Sequence, residues 1–334
     1  MMTLTMLEFF GGIGAPRRAL ERLNLDFQVL DYVEIDKFAV KSYNAIYGEN
    51  YEPQDIREWD KDLKADIIFH GSPCQDFSQA GRGAGGEKQS LTRSSLLWET
   101  VRIVETVMPK LIIWENVASV LGKNHKPVVD DYLETLENLG YHSQVLKLNA
   151  KDYGIPQNRK RVFIISKLGV PVTLDLSPLE LDKTLQDFLE SNVDEKFNLT
   201  SNLKQYINSQ QAGNYVVSAS RLVLNRPIAS TISTRTGRNR ADCSDYISED
   251  FSVNENVAGV DLVPYTIRRL TPRECWRLQG FDDASFNRAE QVCSNSQLYK
   301  QAGNSIVVDV LCHLFKALEI NNSPNYLYRD TPSP

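Results

Sequence analysis

A cysteine and a glutamate each follow an apolar run in this sequence, and their side chains are well suited to covalent chemistry on a ring. Cys74 comes shortly after the run 65–70, and Glu115 directly follows the run 111–114. Both runs have the length and composition of buried strands in a parallel sheet. In open α/β sheets the reacting groups collect beyond the carboxyl ends of the strands. We therefore expect Cys74 and Glu115 to face one cleft.

Together these two side chains suit conjugate addition to an electron-poor heterocycle. A thiolate is a soft nucleophile, and a glutamic acid beside it can protonate or hydrogen-bond a ring nitrogen. Addition of a thiolate to C6 of cytosine would break the aromaticity of the ring and make C5 nucleophilic toward an electrophilic methyl group. A lone cysteine is more often a small buried apolar residue, so the other motifs decide between the two interpretations.

A glycine-rich turn followed by an acid predicts a nucleotide-ribose site. The sequence reads as a strand over 3–10, a tight turn at 11–15 and a helix that Pro16 begins. A second strand over 27–33 ends at Glu34, whose carboxylate can accept both ribose hydroxyls. The order Gly-Gly-Ile-Gly differs from the dinucleotide fingerprint Gly-x-Gly-x-x-Gly. This difference favours an adenosine-bearing mononucleotide over a nicotinamide or flavin dinucleotide.

Changes of pattern along the chain predict its domains. Strands and helices alternate over 1–169, which indicates a βαβ sheet domain. Within it, 79–93 has four glycines and almost no apolar residue, as is typical of an active-site lid. Helical patterns give way to Ser, Thr and Asn over 170–264, where we expect a small, irregular, inserted domain. Helical patterns return over 265–320, and 321–334 reads as a polar, proline-rich tail.

Composition excludes several classes of protein. The chain of 334 residues has the 42% hydrophobic and 24% charged content of an ordinary globular protein. We expect no membrane association, because the sequence lacks both an apolar run of about 18 residues and a signal-peptide pattern. Five cysteines, none in a Cys-x-x-Cys pair, argue against a bound metal or a disulfide framework. They favour a reducing, cytoplasmic location.

The charge of the chain is unevenly distributed. The net charge is −6, yet the segment 196–241 has seven Lys or Arg residues and no Asp or Glu. Surfaces normally mix both signs, so a long acid-free segment indicates a surface that faces a polyanion. The alternative is a basic face in contact with solvent alone.

Six short motifs occur along the chain and cover nearly all of it apart from 170–264. They are Phe10-Gly11-Gly12-Ile13-Gly14, Pro73-Cys74-Gln75-Asp76-Phe77-Ser78, Glu115-Asn116-Val117, Gln157-Asn158-Arg159-Lys160-Arg161, Arg269-Leu270-Thr271-Pro272-Arg273-Glu274 and Gln301-Ala302-Gly303-Asn304-Ser305. In type and order these motifs resemble those of the cytosine-5 DNA methyltransferases of bacterial and phage restriction–modification systems. Two departures are Glu8, where the family usually has Asp, and Ala15, where it often has Gly.

The resemblance implies an α/β fold, in which a doubly wound S-adenosylmethionine-dependent methyltransferase sheet carries a second, smaller, irregular target-recognition domain. The catalytic and cofactor-binding domain would comprise 1–169 and 265–320, and the target-recognition domain 170–264. The implied cofactor is S-adenosylmethionine, with S-adenosylhomocysteine as its product. The implied partner is double-stranded DNA, with a restriction endonuclease as a functional counterpart that need not touch the protein.

By the same resemblance, Cys74 would attack C6 of a cytosine flipped out of the duplex, because C5 and C6 cannot be reached while the base is stacked. Glu115 would contact N3 and the exocyclic amine, Arg161 would contact O2, and Arg159 would support the site. The loop 79–93 would close on the flipped base.

The resemblance also implies the binding residues, each at a matching or neighbouring position of this sequence. The cofactor site would consist of Phe10, Gly12 and Gly14 in the turn, Glu34 at the ribose, Ile35 and Ile56 beside the adenine, Asp55 at its amine, and Leu96 and Asn304 at the methionine end. The residues assigned to DNA are Ser78, Arg82, Arg221, Arg226, Arg235, Arg238 and Arg240, among which the arginines of 221–240 are candidate guanine readers.

Two other functions remain open at this point. A cytosine-5 methyltransferase that acts on RNA would use the same chemistry. A degenerate methyltransferase could bind DNA without catalysis, although the presence of Cys74, Glu115 and Arg161 argues against it. Methylation of an amino group calls for an Asp/Asn-Pro-Pro-aromatic motif, which this sequence lacks.

Overall fold

The protein folds into two compact units. A computed structural model of the chain describes residues 3–72, 96–205, 225–237, 245–248 and 266–320. The first unit contains the described residues of Met1–Asn149, Lys160–Pro178 and Val308–Pro334, and the second contains those of Ala150–Arg159 and Leu179–Val307. In the described part of the chain, no helix is long and apolar enough to span a bilayer.

The secondary structure alternates between strands and helices in the first half of the chain. The strands are β1 (Leu4–Phe9), β2 (Phe27–Val33), β3 (Ile67–His70), β4 (Leu111–Val117), β5 (Tyr141–Asn149), β6 (Lys160–Leu168), β7 (Tyr246–Ser248) and β8 (Ile267–Arg269). Among the described residues, the helices of six or more residues are α1 (Ala15–Arg22), α2 (Lys37–Tyr47), α3 (Leu96–Val107), α4 (Lys126–Asn138), α5 (Pro272–Arg277), α6 (Asp283–Glu290), α7 (Asn295–Asn304) and α8 (Val308–Ala317).

The first unit is built on a six-stranded sheet with the strand order β2-β1-β3-β4-β6-β5. Neighbouring strands among β1, β2, β3 and β4 are parallel, whereas β6 runs antiparallel to both β4 and β5. The carboxyl ends of the four parallel strands therefore meet at one edge of the sheet. The amino end of β6 reaches the same edge.

Helices cover both faces of this sheet. Apolar side chains on one face, among them Leu7, Phe9 and Ile112, form a core with α3 and α4. Successive side chains of a strand point to opposite faces, so Glu8 and Tyr32 lie on the other face, where Tyr32 packs against α2. The doubly wound α/β fold that the sequence predicts is confirmed.

Local sequence signals explain where the helices near the sheet edge begin and end. Pro16 lies in the first turn of α1, where the missing amide costs nothing. The carboxylate of Asp36 accepts the amide hydrogen of Phe38 at 2.9 Å and caps α2. Gly48, with φ of 71°, ends α2 in the left-handed conformation that glycine adopts readily.

The second unit combines short helices with a small two-stranded antiparallel sheet of β7 and β8. Helix α5 begins with a capping box between Thr271 and Glu274. The Glu274 carboxylate also pairs with the buried guanidinium of Arg268 at 2.9 Å. These two residues therefore join the start of α5 to the end of β8.

The structure adds detail to the expectations for the later part of the chain. Within the segment expected to be irregular, 228–233 makes a single bridge, between Gln157 and Ala229. Helices return as expected after 265: Gly303 and Asn304 end α7, and the last described helix begins at Val308. The predicted lid at 79–93 and the predicted tail at 321–334 lie outside the described residues.

The boundaries of the two compact units differ from the predicted domain boundaries. Residues 150–159 and 265–307 group with the second unit, although the prediction assigned them to the catalytic domain. Residues 160–178 and the residues after 307 belong to the first unit. The assignment of target recognition to 170–264 remains a prediction.

Candidate active site

The glycine turn between β1 and α1 has a conformation that requires glycine. Gly12 and Gly14 have φ of 54° and 78°, in the left-handed region, and Phe10 joins them there at 54°. A Cβ atom at Gly11 would lie 2.7 Å from Cε2 of Tyr32, and one at Gly14 would lie 2.6 Å from Cε2 of Tyr47. Side chains at Gly11 and Gly14 would therefore collide with Tyr32 of β2 and Tyr47 of α2 and displace the turn.

Glu34 lies against this turn, as the sequence predicts. Its carboxylate accepts the amide hydrogens of Gly12 at 3.2 Å and of Asp36 at 2.8 Å. Burial raises the pKa of Glu34, while the amide donors oppose that shift. The carboxylate is thus held rigidly at the end of β2 and retains acceptor capacity for a ligand hydroxyl.

The residues predicted to surround an adenine ring differ in exposure. The Ile35 side chain is 66% exposed, an open apolar surface directly beside Glu34. Ile56 is 3% exposed and belongs to the core under the sheet. The amide of Gln54 donates to the Glu34 carbonyl at 2.9 Å, which brings the start of the 54–56 segment next to the end of β2.

Asp55 and Leu96 complete the predicted cofactor residues of the first unit. The Asp55 carboxylate forms a salt bridge with the Arg57 guanidinium, whose hydrogen bonds lower the pKa of Asp55. The Arg57 side chain is largely exposed, so an adenine amine could take its place as the donor to the Asp55 carboxylate. Leu96 is the first residue of α3 and packs partly buried against the core.

Glu115 and Arg161 meet at the same sheet edge, on the antiparallel strands β4 and β6. The Arg161 Nε atom lies 3.1 Å from Glu115 Oε1, and both side chains remain partly exposed. The other carboxylate oxygen, Oε2, would lie 3.8 Å from a Cβ atom at Gly71. Gly71 directly follows β3, so the ends of the two strands converge on this carboxylate.

Ser72 ties the chain that leads to Cys74 to the neighbouring strand. Its buried hydroxyl accepts from Trp114 Nε1 at 2.9 Å and from Asn116 Nδ2 at 3.4 Å. The Asn116 Oδ1 atom accepts from the amide of Val117 at 2.8 Å. Cys74, Ser78 and Arg82 themselves lie outside the described residues.

The side chains of Arg159 and Gln157 form hydrogen bonds with main-chain groups of the second unit. Arg159 is 2% exposed, and its guanidinium donates to the carbonyls of Ile232 at 2.6 Å, Gly303 at 3.0 Å and Ser305. Gln157 accepts from the amide of Ile232 and donates to the carbonyl of Leu278. In this structure Arg159 is therefore a buried brace within the second unit.

The second unit also holds Asn304 and two of the predicted DNA-reading arginines. Asn304 is exposed at the end of α7. Arg235 is exposed in a tight turn, in which the Thr236 hydroxyl accepts the amide hydrogen of Ser233 at 2.9 Å. Arg226 is half-buried and turned toward Asp245, at 3.8 Å between Nε and Oδ1. Arg221, Arg238 and Arg240 lie outside the described residues.

Sequence reasoning missed the tyrosines that contact the glycine turn. Tyr32 lies two residues before Glu34, and Tyr43 and Tyr47 follow on α2 at a spacing of one helical turn. That spacing places both rings on one face of the helix and could have indicated a shared contact. Nothing in the local sequence of Arg159 distinguishes its buried carbonyl contacts from a role in catalysis.

Comparison with known proteins agrees with the motifs. Residues 4–319 match the family model of the C-5 cytosine-specific DNA methylases. Type II methyltransferase M2.ScrFI of Lactococcus lactis subsp. cremoris is 33% identical, over 94% of this chain and 99% of that protein. Type II methyltransferase M.NlaX of Neisseria lactamica is 32% identical, over 92% of this chain and 93% of that protein.

Solved structures share the fold. The S. pombe Dnmt2 methyltransferase aligns with a TM-score of 0.77 at 19% identity, over 95% of this chain and 98% of that one. The Entamoeba histolytica methyltransferase EhMeth aligns with a TM-score of 0.75 at 19% identity, over 98% of each chain. Because the family match extends over nearly the whole sequence, the chain belongs to the C-5 cytosine-specific DNA methylase family.

Proposed function

We propose that this cytosine-5 DNA methyltransferase acts on one short duplex sequence through a covalent bond between Cys74 and C6 of a flipped cytosine. The observation that carries the proposal is the Glu115–Arg161 pair, 3.1 Å apart, beside Gly71 at the end of β3. Cys74 follows Gly71 by three residues in the sequence. An acid and a cationic donor thus meet at one sheet edge, and the proposed nucleophile follows that edge in the sequence.

In the proposed reaction the Cys74 thiolate forms a bond to C6, and the electron pair of the C5–C6 double bond moves into the ring. Glu115 stabilises that charge by hydrogen bonding at N3 and accepts from the exocyclic amine. Arg161 can leave Glu115 to donate to O2. When bound, S-adenosylmethionine supplies the electrophilic methyl group. After C5 has taken the methyl group, water accepts the C5 proton, the C–H electron pair re-forms the C5–C6 double bond and Cys74 leaves as its thiolate. Any proton that N3 took from Glu115 returns to Glu115, so the aromatic ring is restored.

The residues at the end of β2 fit an adenosine group. Glu34 offers carboxylate oxygens beside the glycine turn, and the exposed Ile35 side chain next to it offers an apolar surface for a purine face. We assign the ribose to Glu34, the adenine to Ile35 and Asp55, and the methionine end to the turn of Phe10, Gly12 and Gly14. Ile56, Leu96 and Asn304 stay candidates by resemblance alone.

We assign target recognition to the second unit, which contains the acid-free basic segment 196–241. Arg235 is the best candidate for base reading among the described residues, because its side chain is exposed at the tip of a braced turn. Arg226 is directed at Asp245 and is better suited to holding the unit together. A restriction endonuclease of the same sequence specificity is the proposed functional counterpart.

The covalent step is tested with duplex DNA that contains 5-fluorocytosine. Fluorine at C5 cannot leave as a proton does, so the adduct with Cys74 should accumulate and survive denaturation. Cys74→Ser should give no adduct and no methyl transfer, whereas Cys293→Ser, at a half-exposed cysteine of the second unit, should behave as wild type. An active enzyme that forms no adduct would exclude the covalent route.

The substrate is tested by sequencing and by direct competition between nucleic acids. Bisulfite sequencing of DNA from cells that express the protein should find 5-methylcytosine in one short sequence context. With labelled cofactor, duplex DNA should be methylated and transfer RNA should not; the reverse result would establish the RNA alternative. Arg235→Ala should cost about 1–3 kcal/mol for the cognate duplex and relax specificity at one position.

A further inference from the structure

Two tyrosine hydroxyls hold the carbonyl groups of the glycine turn. Tyr32 donates to the Gly12 carbonyl at 2.7 Å. Tyr47 donates to the Gly14 carbonyl at 2.8 Å, with the Ile13 carbonyl also within 3.3 Å. Three consecutive carbonyls of the turn therefore face tyrosine side chains from β2 and α2.

These contacts fix the direction in which the turn presents its amide donors. In a trans peptide the C=O and N–H groups point in opposite directions. With the Gly12 and Gly14 carbonyls held by tyrosines, the amides of Ile13 and Ala15 are directed away from the tyrosine cluster. Ala15 begins α1, so its amide belongs to the positive end of that helix.

The turn needs such support because its backbone is intrinsically unfavourable. Phe10, Gly12 and Gly14 all have positive φ, and for the non-glycine Phe10 this conformation is uncommon. Glycine also gives the unconstrained chain a large choice of alternatives. The tyrosine hydroxyls add to the main-chain hydrogen bonds of the turn, from the Gly14 amide to the Gly11 carbonyl at 2.8 Å and from the Arg18 amide to the Gly14 carbonyl at 2.9 Å.

The tyrosines are themselves fixed by packing. The rings of Tyr32 and Tyr43 stack at 3.8 Å between centroids, and Tyr43 contacts Tyr47 at 4.6 Å. The Arg17 guanidinium lies 4.3 Å above the Tyr47 ring and pairs with Glu49. Burial raises the pKa of Tyr32 and of Tyr47 well above the ordinary value, so both hydroxyls keep their protons and remain donors.

We propose that Tyr32 and Tyr47 are positioning residues that hold the glycine turn in its cofactor-binding conformation before the cofactor arrives. The inference rests on the proposed function, since it takes S-adenosylmethionine as the ligand of the turn. When only a fraction of the protein is in its binding-competent conformation, the apparent affinity for the ligand is reduced by that fraction. Loss of either hydroxyl should therefore weaken cofactor binding without touching the reacting groups.

The test compares Tyr32→Phe, Tyr47→Phe and the double variant with the full-length wild type. Each change keeps the ring and removes only the hydroxyl. Isothermal titration with S-adenosylmethionine should show Kd rising about five- to tenfold in each single variant, the effect of one neutral hydrogen bond, and further in the double variant. The single-turnover rate of methyl transfer at saturating cofactor and DNA should stay within about twofold of wild type, because the turn lies outside the base site.

Tyr51→Phe is the matched control. Its ring belongs to the same cluster, 5.3 Å from that of Tyr32, and its backbone is held by Asn44 rather than by the turn. This variant should bind the cofactor as wild type does. The inference is overturned if the Tyr32 and Tyr47 variants keep wild-type Kd, if Tyr51→Phe loses as much affinity, or if the loss appears in the saturated rate instead of Kd.

The same titration separates this inference from the proposed function. A wild-type protein that binds no S-adenosylmethionine would refute the cofactor assignment and the inference together. A wild-type protein that binds it, with variants that bind equally well, would refute the tyrosine inference alone and leave the proposed methyl transfer standing.

Discussion

Glu34 and Glu115 lie at the same edge of one sheet but are held in opposite ways. Glu34 accepts main-chain amide hydrogens from Gly12 and Asp36. Glu115 is paired with the side chain of another residue, the guanidinium of Arg161. Main-chain donors are fixed by the fold, whereas a guanidinium on a flexible stem can exchange one partner for another. The part of the edge around Glu34, which we propose to bind the cofactor, is therefore preorganised, and the part around Glu115, which we propose to bind the base, can rearrange.

This difference suits the two ligands. S-adenosylmethionine has the same shape in every catalytic cycle, so a rigid acceptor at Glu34 loses nothing by being fixed in advance. In the proposed reaction, a cytosine enters the other site only after it has left the duplex, and unstacking and unpairing cost a few kcal/mol. Arg161 can shield the Glu115 carboxylate until the base arrives and then donate to the base itself.

The largest effect should come from Glu115→Gln. The amide keeps the size of the side chain but can neither share a proton with N3 nor pair with Arg161 as an ion. We expect the saturated rate of methyl transfer to fall by about a hundredfold or more, as for loss of a general acid. The Kd for S-adenosylmethionine should not change.

Glu105→Gln, at an exposed position of α3, is the control for the loss of one negative charge. If it lowers the rate as much as Glu115→Gln does, the effect is one of overall charge. If Glu115→Gln weakens cofactor binding instead of the rate, the two edges are not separate sites and the comparison fails.

Glu34→Gln should produce the opposite pattern. Replacing the carboxylate weakens the charged hydrogen bonds to the ribose hydroxyls, which are worth about 1.5–3 kcal/mol each. We expect Kd for S-adenosylmethionine to rise about tenfold or more while binding of duplex DNA is unchanged. Isothermal titration measures the first quantity and fluorescence anisotropy the second, with Glu58→Gln, an exposed acid near Asp55, as the control. Equal cofactor affinity in the Glu34 variant would place the ribose elsewhere.

Burial shifts the pKa values of two titratable groups in the adjacent strands β1 and β3 in opposite directions. Burial of Glu8 in β1 raises its pKa from about 4.5 to about 8, against the hydrogen bond from Tyr43 and the charge of Arg17. Burial of His70 in β3 lowers its pKa from 6.5 to about 3. Glu8 lies in β1 on the same face of the sheet as Tyr32, and His70 is the last residue of β3, two residues before Ser72.

The sign of each contribution follows from proton uptake. Unfolded Glu8 ionises above about 4.5 while the folded residue stays neutral up to about 8, so stability falls as pH rises through that window. His70 acts oppositely, because the unfolded residue becomes charged below 6.5 and stability falls as pH drops toward 3. Between pH 6.5 and 8, Glu8 has the larger effect of the two on stability, because unfolded His70 is at most half protonated there.

Glu8→Gln should therefore flatten the stability profile between pH 6.5 and 8. At pH 7 the protonation of this carboxyl lowers the free energy of unfolding of the wild type by about 3 kcal/mol. The amide side chain of the Glu8→Gln variant does not titrate and has no such cost. Urea unfolding of both proteins at pH 6.5, 7.25 and 8 measures the slopes. Parallel slopes in the two proteins would show that the Glu8 carboxyl is not the group that titrates.

The layout of the glycine turn, β2 and Glu34 was predictable from the sequence, because the three follow one another within one βαβ unit and short-range signals suffice. Their role in binding a cofactor stays a prediction. The pairing of Glu115 with Arg161 was not predicted: the resemblance assigned both residues to the base, and α4, β5 and the turn before β6 separate them in the sequence. The carbonyl contacts of Arg159 and the tyrosine hydroxyls on the turn were missed, because they depend on which backbone groups become neighbours after folding.

The smallest effect should come from Ser72→Ala, which tests whether a side-chain contact also steadies the base edge. The change removes the acceptor of the buried Trp114 Nε1–H and Asn116 Nδ2–H groups. A buried donor left without its partner costs about 1–3 kcal/mol of folding stability. Because Ser72 lies two residues before Cys74, we also expect a several-fold slower formation of the adduct with 5-fluorocytosine DNA, while Kd for S-adenosylmethionine stays constant. Ser177→Ala, at an exposed position of the same unit, is the control. A variant that loses stability but forms the adduct at the wild-type rate would show that Ser72 supports the sheet without positioning the nucleophile.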